Sequence, residues 1–235
     1  MRPKRRPMIG FKPPNMRHVP LPIVAKGDDY VVVNKPPDLL SVPGKNPDLS
    51  DCVANRVRQA FPEATGPLIA HRLDMATSGL LVLGLTPAAQ RHLSMQFEAR
   101  QVFKRYEAVV EGLLEEETGL IELPLRLDFY QRPLQIYDPI HGKRSETKWE
   151  LIKHQEDATH LNLFPITGRT HQLRVHMAHR LGLNAPILGD RLYGDQQKAK
   201  RLMLHAAEIH FHEPSTEQRV EFKVAPSFIT PTTPP

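Results

Sequence analysis

His71-Arg72-Leu73-Asp74-Met75-Ala76-Thr77-Ser78-Gly79-Leu80-Leu81-Val82-Leu83 is the stretch on which the reading of this chain turns. A polar cluster with one carboxylate and one guanidinium runs through the small-residue turn Thr77-Ser78-Gly79 straight into the apolar run Leu80 to Leu85. That is the pattern of a loop feeding a buried strand. Loops fixed to rigid strands are where chemically active side chains concentrate, which makes Asp74 a candidate functional carboxylate. The same residues also suit a turn cap or a surface pair of Asp74 with Arg72, so the stretch alone leaves both readings open.

His71-Arg72-Leu73-Asp74 followed by Thr77-Ser78-Gly79-Leu80 resembles the signature of the RluA-family pseudouridine synthases, in which the aspartate is the catalytic residue. Further matches follow in the family's order. Asn34-Lys35-Pro36 resembles an early strand end and Lys104-Arg105-Tyr106 a tyrosine motif. Thr167-Gly168-Arg169-Thr170-His171-Gln172-Leu173-Arg174-Val175-His176 resembles a second long motif. Pro186-Ile187-Leu188-Gly189-Asp190 with Tyr193-Gly194 resembles a third. The resemblance runs from Ile23 to Pro226. It implies an RNA pseudouridine synthase that isomerises specific uridines in rRNA or tRNA. Leu39-Leu40-Ser41-Val42-Pro43-Gly44 is similar to the members that act on 23S rRNA and the tRNA anticodon stem-loop, and structured RNA of that kind is the implied partner. The basic leader and the added residues around Arg180-Leu181-Gly182-Leu183-Asn184 depart from the family pattern.

Working outward, 235 residues with 40% hydrophobic content suffice to bury a full core in one domain. No apolar run approaches the roughly 18 residues of a membrane span. The N-terminus lacks the apolar segment of a secretory signal, so no membrane contact and a cytoplasmic location are expected. The single cysteine, Cys52, excludes an internal disulfide and a multi-cysteine zinc site, and reads as a small buried residue on a helix. Residues 1–18 hold Arg2, Lys4, Arg5, Arg6, Lys12 and Arg17 without an acid. Taking those six from 31 basic residues leaves 25 against 26 acidic, a body of net −1. RNA binding would therefore need a local basic cleft, with the leader adding nonspecific phosphate attraction or serving only as a solvated tail.

Six prolines by residue 22 and no apolar periodicity mark 1–20 as a disordered or extended leader. A catalytic domain over 21–226 and a tail over 227–235 complete the expected organisation, as a monomer. Tyr30 to Val33 reads as a strand closed by Pro36-Pro37. A helix is expected from Asp48 to Phe61, with Leu49, Val53, Val57 and Phe61 on one face. Thr86-Pro87 reads as an N-cap and first-turn proline opening a second helix. Strands are expected at 104–111 and through most of 120–165, with Arg132 to Ser145 as a long hairpin loop. A helix from Thr170 to Gly182 and strands near Leu202–Phe211 and Val220–Val224 follow. Strands and helices without a βαβ rhythm predict an α+β fold with a largely antiparallel mixed sheet and flanking helices. The family's bent sheet with a catalytic cleft across one face is implied by the resemblance.

Pseudouridine formation detaches uracil from C1′ of its ribose, rotates it and rejoins it through carbon, with no redox change, cofactor or metal. It needs a carboxylate that adds to C1′ or removes the C2′ proton. Asp74 occupies that motif position, whereas Asp38, Asp128 and Asp190 sit in turn-like contexts. The resemblance makes Arg174 the cation that holds Asp74 ionised, Leu173 an apolar wall for the base, and Tyr106 the ring that stacks on the target uracil. Thr77 and Arg169 fall within motifs and are expected to bind substrate. A duplex uridine must be flipped out, and Arg72, beside Asp74, is the candidate to fill the gap with its guanidinium plane. His71 is expected to brace the loop beside the bound substrate. His171, His176 and His179, or His205, His210 and His212, invite a metal reading, but none forms HExxH, and neither a P-loop nor GxGxxG is present.

Overall fold

The computed structural model describes residues 15–228. The expectation for the leader up to residue 14 and for the tail from 229 lies outside the described residues. Residues 15–20, also assigned to the leader, form a turn closed by the Val19 N–H on the Met16 carbonyl at 2.9 Å. Arg56 fastens that turn by donating to the Met16 and Val19 carbonyls while its guanidinium grips Asp51. Two compact units make up the chain, one from 15–107 with 204–228 and the other from 108–203.

In the first unit β1 (Ile23–Lys26), β2 (Tyr30–Lys35) and β3 (Ser78–Gly84) pair in antiparallel succession, with Tyr30 opposite Gly84 and Lys35 opposite Gly79. Helix α1 (Val53–Ala60) lies between β2 and β3 in sequence, and α2 (Pro87–Glu98) follows β3. The Thr86 hydroxyl accepts the Ala89 N–H at 3.1 Å and Pro87 takes the first turn, as expected of that pair. Strand β4 (Phe103–Glu111) starts in this unit and ends in the other.

The second unit then adds β5 (Thr118–Glu122), the hairpin of β6 (Leu125–Leu127) and β7 (Gln135–Tyr137), β8 (Glu146–Gln155), β9 (Ala158–Pro165) and α3 (Gln172–Ala178). Its sheet runs from the end of β4 through β9 and β8 to β5, with β8 antiparallel to both β9 and β5. Back in the first unit, β10 (Leu204–His212) pairs parallel with β3 and antiparallel with β11 (Arg219–Lys223). The result is an α+β fold with a mostly antiparallel mixed sheet.

Alternation on β2 and β3 builds two cores in the first unit. Val31, Val33, Leu81 and Leu83 face one way and pack with Val53 and Val57 of α1. Tyr30, Val32, Leu80 and Val82 face the other way and pack with Leu93 of α2. Period-two strands with apolar residues on both faces are those covered on both sides, and each such buried side chain contributes about 1.5–3 kcal/mol.

Three expectations of secondary structure are corrected. The helix expected from Asp48 to Phe61 is broken into a 3₁₀ turn, Pro47–Leu49, and α1, because Cys52 is extended and bridges Leu40 while the Asn46 side chain caps the first piece. Cys52 is buried, but at the N-cap of α1 and not within the helix. The loop from Arg132 to Ser145 contains β7, paired with β6 from Leu125–Tyr137 to Leu127–Gln135. The helix expected from Thr170 to Gly182 is only α3. Beyond it Leu183 and Ala185 donate their N–H groups to the His176 and Met177 carbonyls, so the added residues close the helix end rather than extend it.

Candidate active site

The register of β2 against β3 sets Lys35 opposite Gly79, at the foot of the loop that carries Asp74. Lys35 has no exposed surface. Its ammonium donates to the carbonyls of Pro36 at 3.0 Å, Leu39 at 2.7 Å and Met75 at 2.8 Å. The Ser41 hydroxyl donates to the Leu73 carbonyl at 2.8 Å and accepts the Leu73 N–H at 3.2 Å. The Thr77 N–H closes the turn on the Asp74 carbonyl at 3.1 Å. Asp74 is thus held by backbone bonds on both sides of it.

Gly79 has φ +113°, and a Cβ there would lie 2.3 Å from the Ala206 carbonyl oxygen. No other residue lets β3 and β10 approach at Gly79–Ala206 in that conformation. Next to it the Ser78 hydroxyl meets His205 Nδ1 at 2.7 Å, while His205 Nε2 reaches the Val224 carbonyl at 3.0 Å. The Nε2 proton goes to the carbonyl, so Nδ1 accepts from the serine.

His71 sits at the loop's start and its Nε2 accepts the Val82 N–H at 3.1 Å. Its ring stacks on Phe97 with centroids 4.1 Å apart. Burial, with help from the Lys104 charge, drives the imidazole pKa down to about 3, so the ring stays neutral and an acceptor at neutral pH. Thr77 is buried, whereas Arg72 is exposed. Tyr106 on β4 packs on the same core cluster that contains Leu73 and Leu39. Burial raises its phenol pKa above the usual tyrosine range, and the Asp74 charge raises it further. The phenol therefore keeps its proton, and Asp74 lies near enough for its charge to be felt.

Arg169, Leu173 and Arg174 lie in the second unit, on α3 and the loop before it. Gln172 organises that loop. Its Oε1 accepts from the Thr167 hydroxyl and the Arg169 N–H, and its Nε2 donates to the Glu146 carbonyl and the Thr147 hydroxyl. His171 takes a left-handed conformation, φ 54°, which a non-glycine residue adopts at a cost and which concentrates at functional sites. Exposed Arg169 donates from Nε to the Arg144 carbonyl. Leu173 and Arg174 are buried.

Arg174 forks onto Asp190, Nε to Oδ2 at 2.8 Å and Nη2 to Oδ1 at 2.6 Å. Asp190 also accepts the Leu192 and Tyr193 N–H groups, so it both shapes a turn and grips the arginine. Burial pushes the Asp190 carboxyl up, but the Arg174 bonds and charge outweigh it and the net shift is downward. The guanidinium carbon lies 5.3 Å from the Tyr193 ring centroid, and the Tyr193 hydroxyl meets His171 Nδ1 at 2.7 Å. Lys35, Ser41, Gln172 and the Arg174–Asp190 fork were missed by sequence reasoning. Lys35, Gln172 and Asp190 stood inside motif stretches, which was the available signal.

Of the six histidines in the metal reading, His171 meets the Tyr193 hydroxyl, His176 the Ser145 hydroxyl, and His205 the Ser78 hydroxyl and the Val224 carbonyl. Among the described residues one set of three ligand-type side chains lies within 4.8 Å, Glu208, His210 and Glu221, and it contains a single histidine. Arg105 and Lys223 also bond Glu208, and their charges compete with a metal cation there.

A model of the RNA pseudouridylate synthase family matches residues 29–179. The chain is 41% identical over 225 residues to the dual-specificity RNA pseudouridine synthase RluA of Pasteurella multocida, covering 94% of this chain and 99% of that protein. To the protein of the same name from Escherichia coli K12 it is 41% identical over 226 residues, with the same shares covered. Among solved structures, human RNA pseudouridylate synthase domain containing 1 superposes with a TM-score of 0.73 at 30% identity, over 89% of this chain and 85% of that one. No described helix is long and apolar enough to cross a membrane.

Proposed function

The chain belongs to the RNA pseudouridylate synthase family, and we propose that it performs this isomerisation with Asp74 as the group acting on the ribose of a flipped uridine in structured rRNA and tRNA. The carboxylate adds to C1′ or removes the C2′ proton as the N1–C1′ bond breaks. The freed uracil turns, C5 bonds to C1′ as the carboxylate–C1′ bond breaks or as C2′ regains its proton, and the C5 proton is lost while N1 gains one. The observation that carries the assignment is a backbone-clamped Asp74 whose charge reaches the half-buried, protonated Tyr106.

Tyr106 stacks on the uracil, and its hydroxyl serves as a proton donor in this reading, since its raised pKa excludes a phenolate at neutral pH. Arg72, exposed two residues before Asp74, fills the space that the flipped base leaves. The family resemblance assigns to Arg174 the task of keeping Asp74 ionised; within its own unit the Arg174 guanidinium is held in a fixed orientation by Asp190. Leu173 as the apolar wall, and Thr77, Arg169 and His71 as substrate-side residues, are carried by their motifs. Two RNA classes are proposed because relatives 41% identical over nearly the whole chain are dual-specificity enzymes.

Single-turnover tritium release from RNA labelled at uridine C5 tests the reading. Wild-type protein should release tritium from 23S rRNA fragments and from tRNA, without added cofactor or metal. Asp74→Asn should bind those RNAs and release none. Release by Asp74→Asn at more than a few per cent of the wild-type rate removes the assignment.

A further inference from the structure

The hairpin of β6 and β7 ends in a tip, residues 128–134, that displays two large aromatic rings to solvent. Phe129 is 65% and Tyr130 86% exposed. This tip is a built turn. Asp128 Oδ1 accepts the Tyr130 and Gln131 N–H groups at 2.8 and 3.2 Å, the Asp128 N–H bonds the Leu134 carbonyl and the Leu134 N–H bonds the Gln131 carbonyl. Burying an aromatic ring is worth more than almost any other side chain, so a turn held this firmly gains nothing for the fold by pointing two rings outward. The Arg132 guanidinium lies over the Phe129 ring, 5.8 Å from its centroid, adding a cation to the same face.

The tip is also tied to residues of the site carried by its own unit. Gln135, the first residue of β7, donates its N–H to the Tyr193 hydroxyl at 2.8 Å. That tyrosine is the ring beside Arg174 and the partner of His171. Aromatic faces with an arginine in reach are what unpaired bases and their phosphates recognise, because every base has a π-face and the guanidinium serves either phosphate or base.

We propose that Phe129, Tyr130 and Arg132 form an accessory RNA-binding platform on which an unpaired nucleotide of the bound RNA stacks. The proposal rests on the RNA substrate of the reading above, and it adds a binding determinant outside that reading's reacting residues. A protein partner for the same rings is the alternative.

The probe is a nine-residue oligouridine bearing one 2-aminopurine, whose fluorescence is quenched by stacking on an aromatic ring, titrated with the full chain. The Phe129→Ala/Tyr130→Ala variant should bind it roughly tenfold more weakly, about 1.4 kcal/mol and within the range for one base stack. Quenching should be lost and the melting temperature kept, since the rings are exposed. Tyr130→Trp should retain both affinity and quenching. In the tritium assay the double variant should require about tenfold more RNA for half-maximal release, in keeping with one lost base stack. Equal affinity and quenching of wild type and double variant overturn the platform. Loss of self-association in sedimentation velocity with unchanged RNA binding assigns the rings to a protein contact and overturns it too. Wild-type protein that binds the probe yet releases no tritium from any RNA refutes the catalytic reading instead.

Discussion

Replacing Lys35 by methionine tests the claim that the Asp74 loop is positioned from β2. Methionine has nearly the same length and fills the buried space, so the change removes the ammonium and little else. Three carbonyls then lose their donor, those of Pro36, Leu39 and Met75. A buried acceptor left unpaired costs about 1–3 kcal/mol. Relief from burying an ammonium offsets part of that. Taking the lower limit for each carbonyl gives a loss of about 3 kcal/mol, or a melting temperature lower by roughly 6–12 °C for a chain of this size. The Met75 carbonyl belongs to the Asp74 turn, so well below the melting temperature the loop should still be misplaced. A displacement of about 1 Å at reacting groups costs on the order of 100-fold in rate. Differential scanning calorimetry and single-turnover tritium release at 20 °C measure the two effects separately. Ser41→Ala, which releases Leu73 alone, should show the same signature at smaller size. A Lys35→Met protein that melts within 2 °C of wild type and isomerises at the wild-type rate refutes the reasoning.

Tyr106→Phe keeps the ring and removes the hydroxyl, so RNA affinity should hold while single-turnover tritium release slows; a fully active variant restricts the tyrosine to stacking. Asp190→Asn removes the bidentate carboxylate charge from the buried Arg174 guanidinium, and weakening a buried pair in this way costs up to about 3–5 kcal/mol, visible as an earlier urea midpoint. For pH, His71 and His176 have folded pKa values lowered to about 3 and about 4 from 6.5, both first by burial. The unfolded chain therefore binds more protons below pH 6.5, and their stabilising contribution is present above 6.5 and lost as pH falls towards 4 and 3. Melting temperatures of wild type and His71→Gln across pH 4–7 check this, the variant having the shallower acid limb.

Much of the fold was legible because its signals are local. The alternation on β2 and β3 is a property of four or five neighbouring residues, and Thr86-Pro87 carries its cap within one turn. The elements misjudged are those that tertiary bonds decide. Leu49 has helical spacing from Val53, yet Cys52 is drawn out of the helix by its bridge to Leu40. β7 is three residues long and exists through its pairing with β6, which proline and glycine in the surrounding stretch concealed. In the site, the motifs pointed to Asp74, Tyr106 and Arg174 but assigned Asp190 only a turn. Its sixteen-residue separation from Arg174 carries no periodic signal, so the fork could emerge only from the folded chain.

What the sequence could not convey is how many independent elements converge on one short loop. Lys35 from β2 holds the Met75 carbonyl, Ser41 holds both backbone groups of Leu73, and Val82 of β3 holds the His71 ring, while Gly79 admits β10 against the loop's exit. Fixing a residue's backbone costs about 1–2 kcal/mol of conformational entropy. In a free loop that cost would fall due at each encounter with substrate. Here it is met during folding, by bonds whose donors are buried and whose geometry does not depend on RNA. A carboxylate that must meet one sugar carbon benefits from such preorganisation, because the energy of RNA binding is then available to unstack and flip the target base. Substitutions at Lys35 and Ser41 should accordingly lower the chemical rate more than they weaken RNA affinity, whereas substitutions at the exposed aromatic tip should do the reverse.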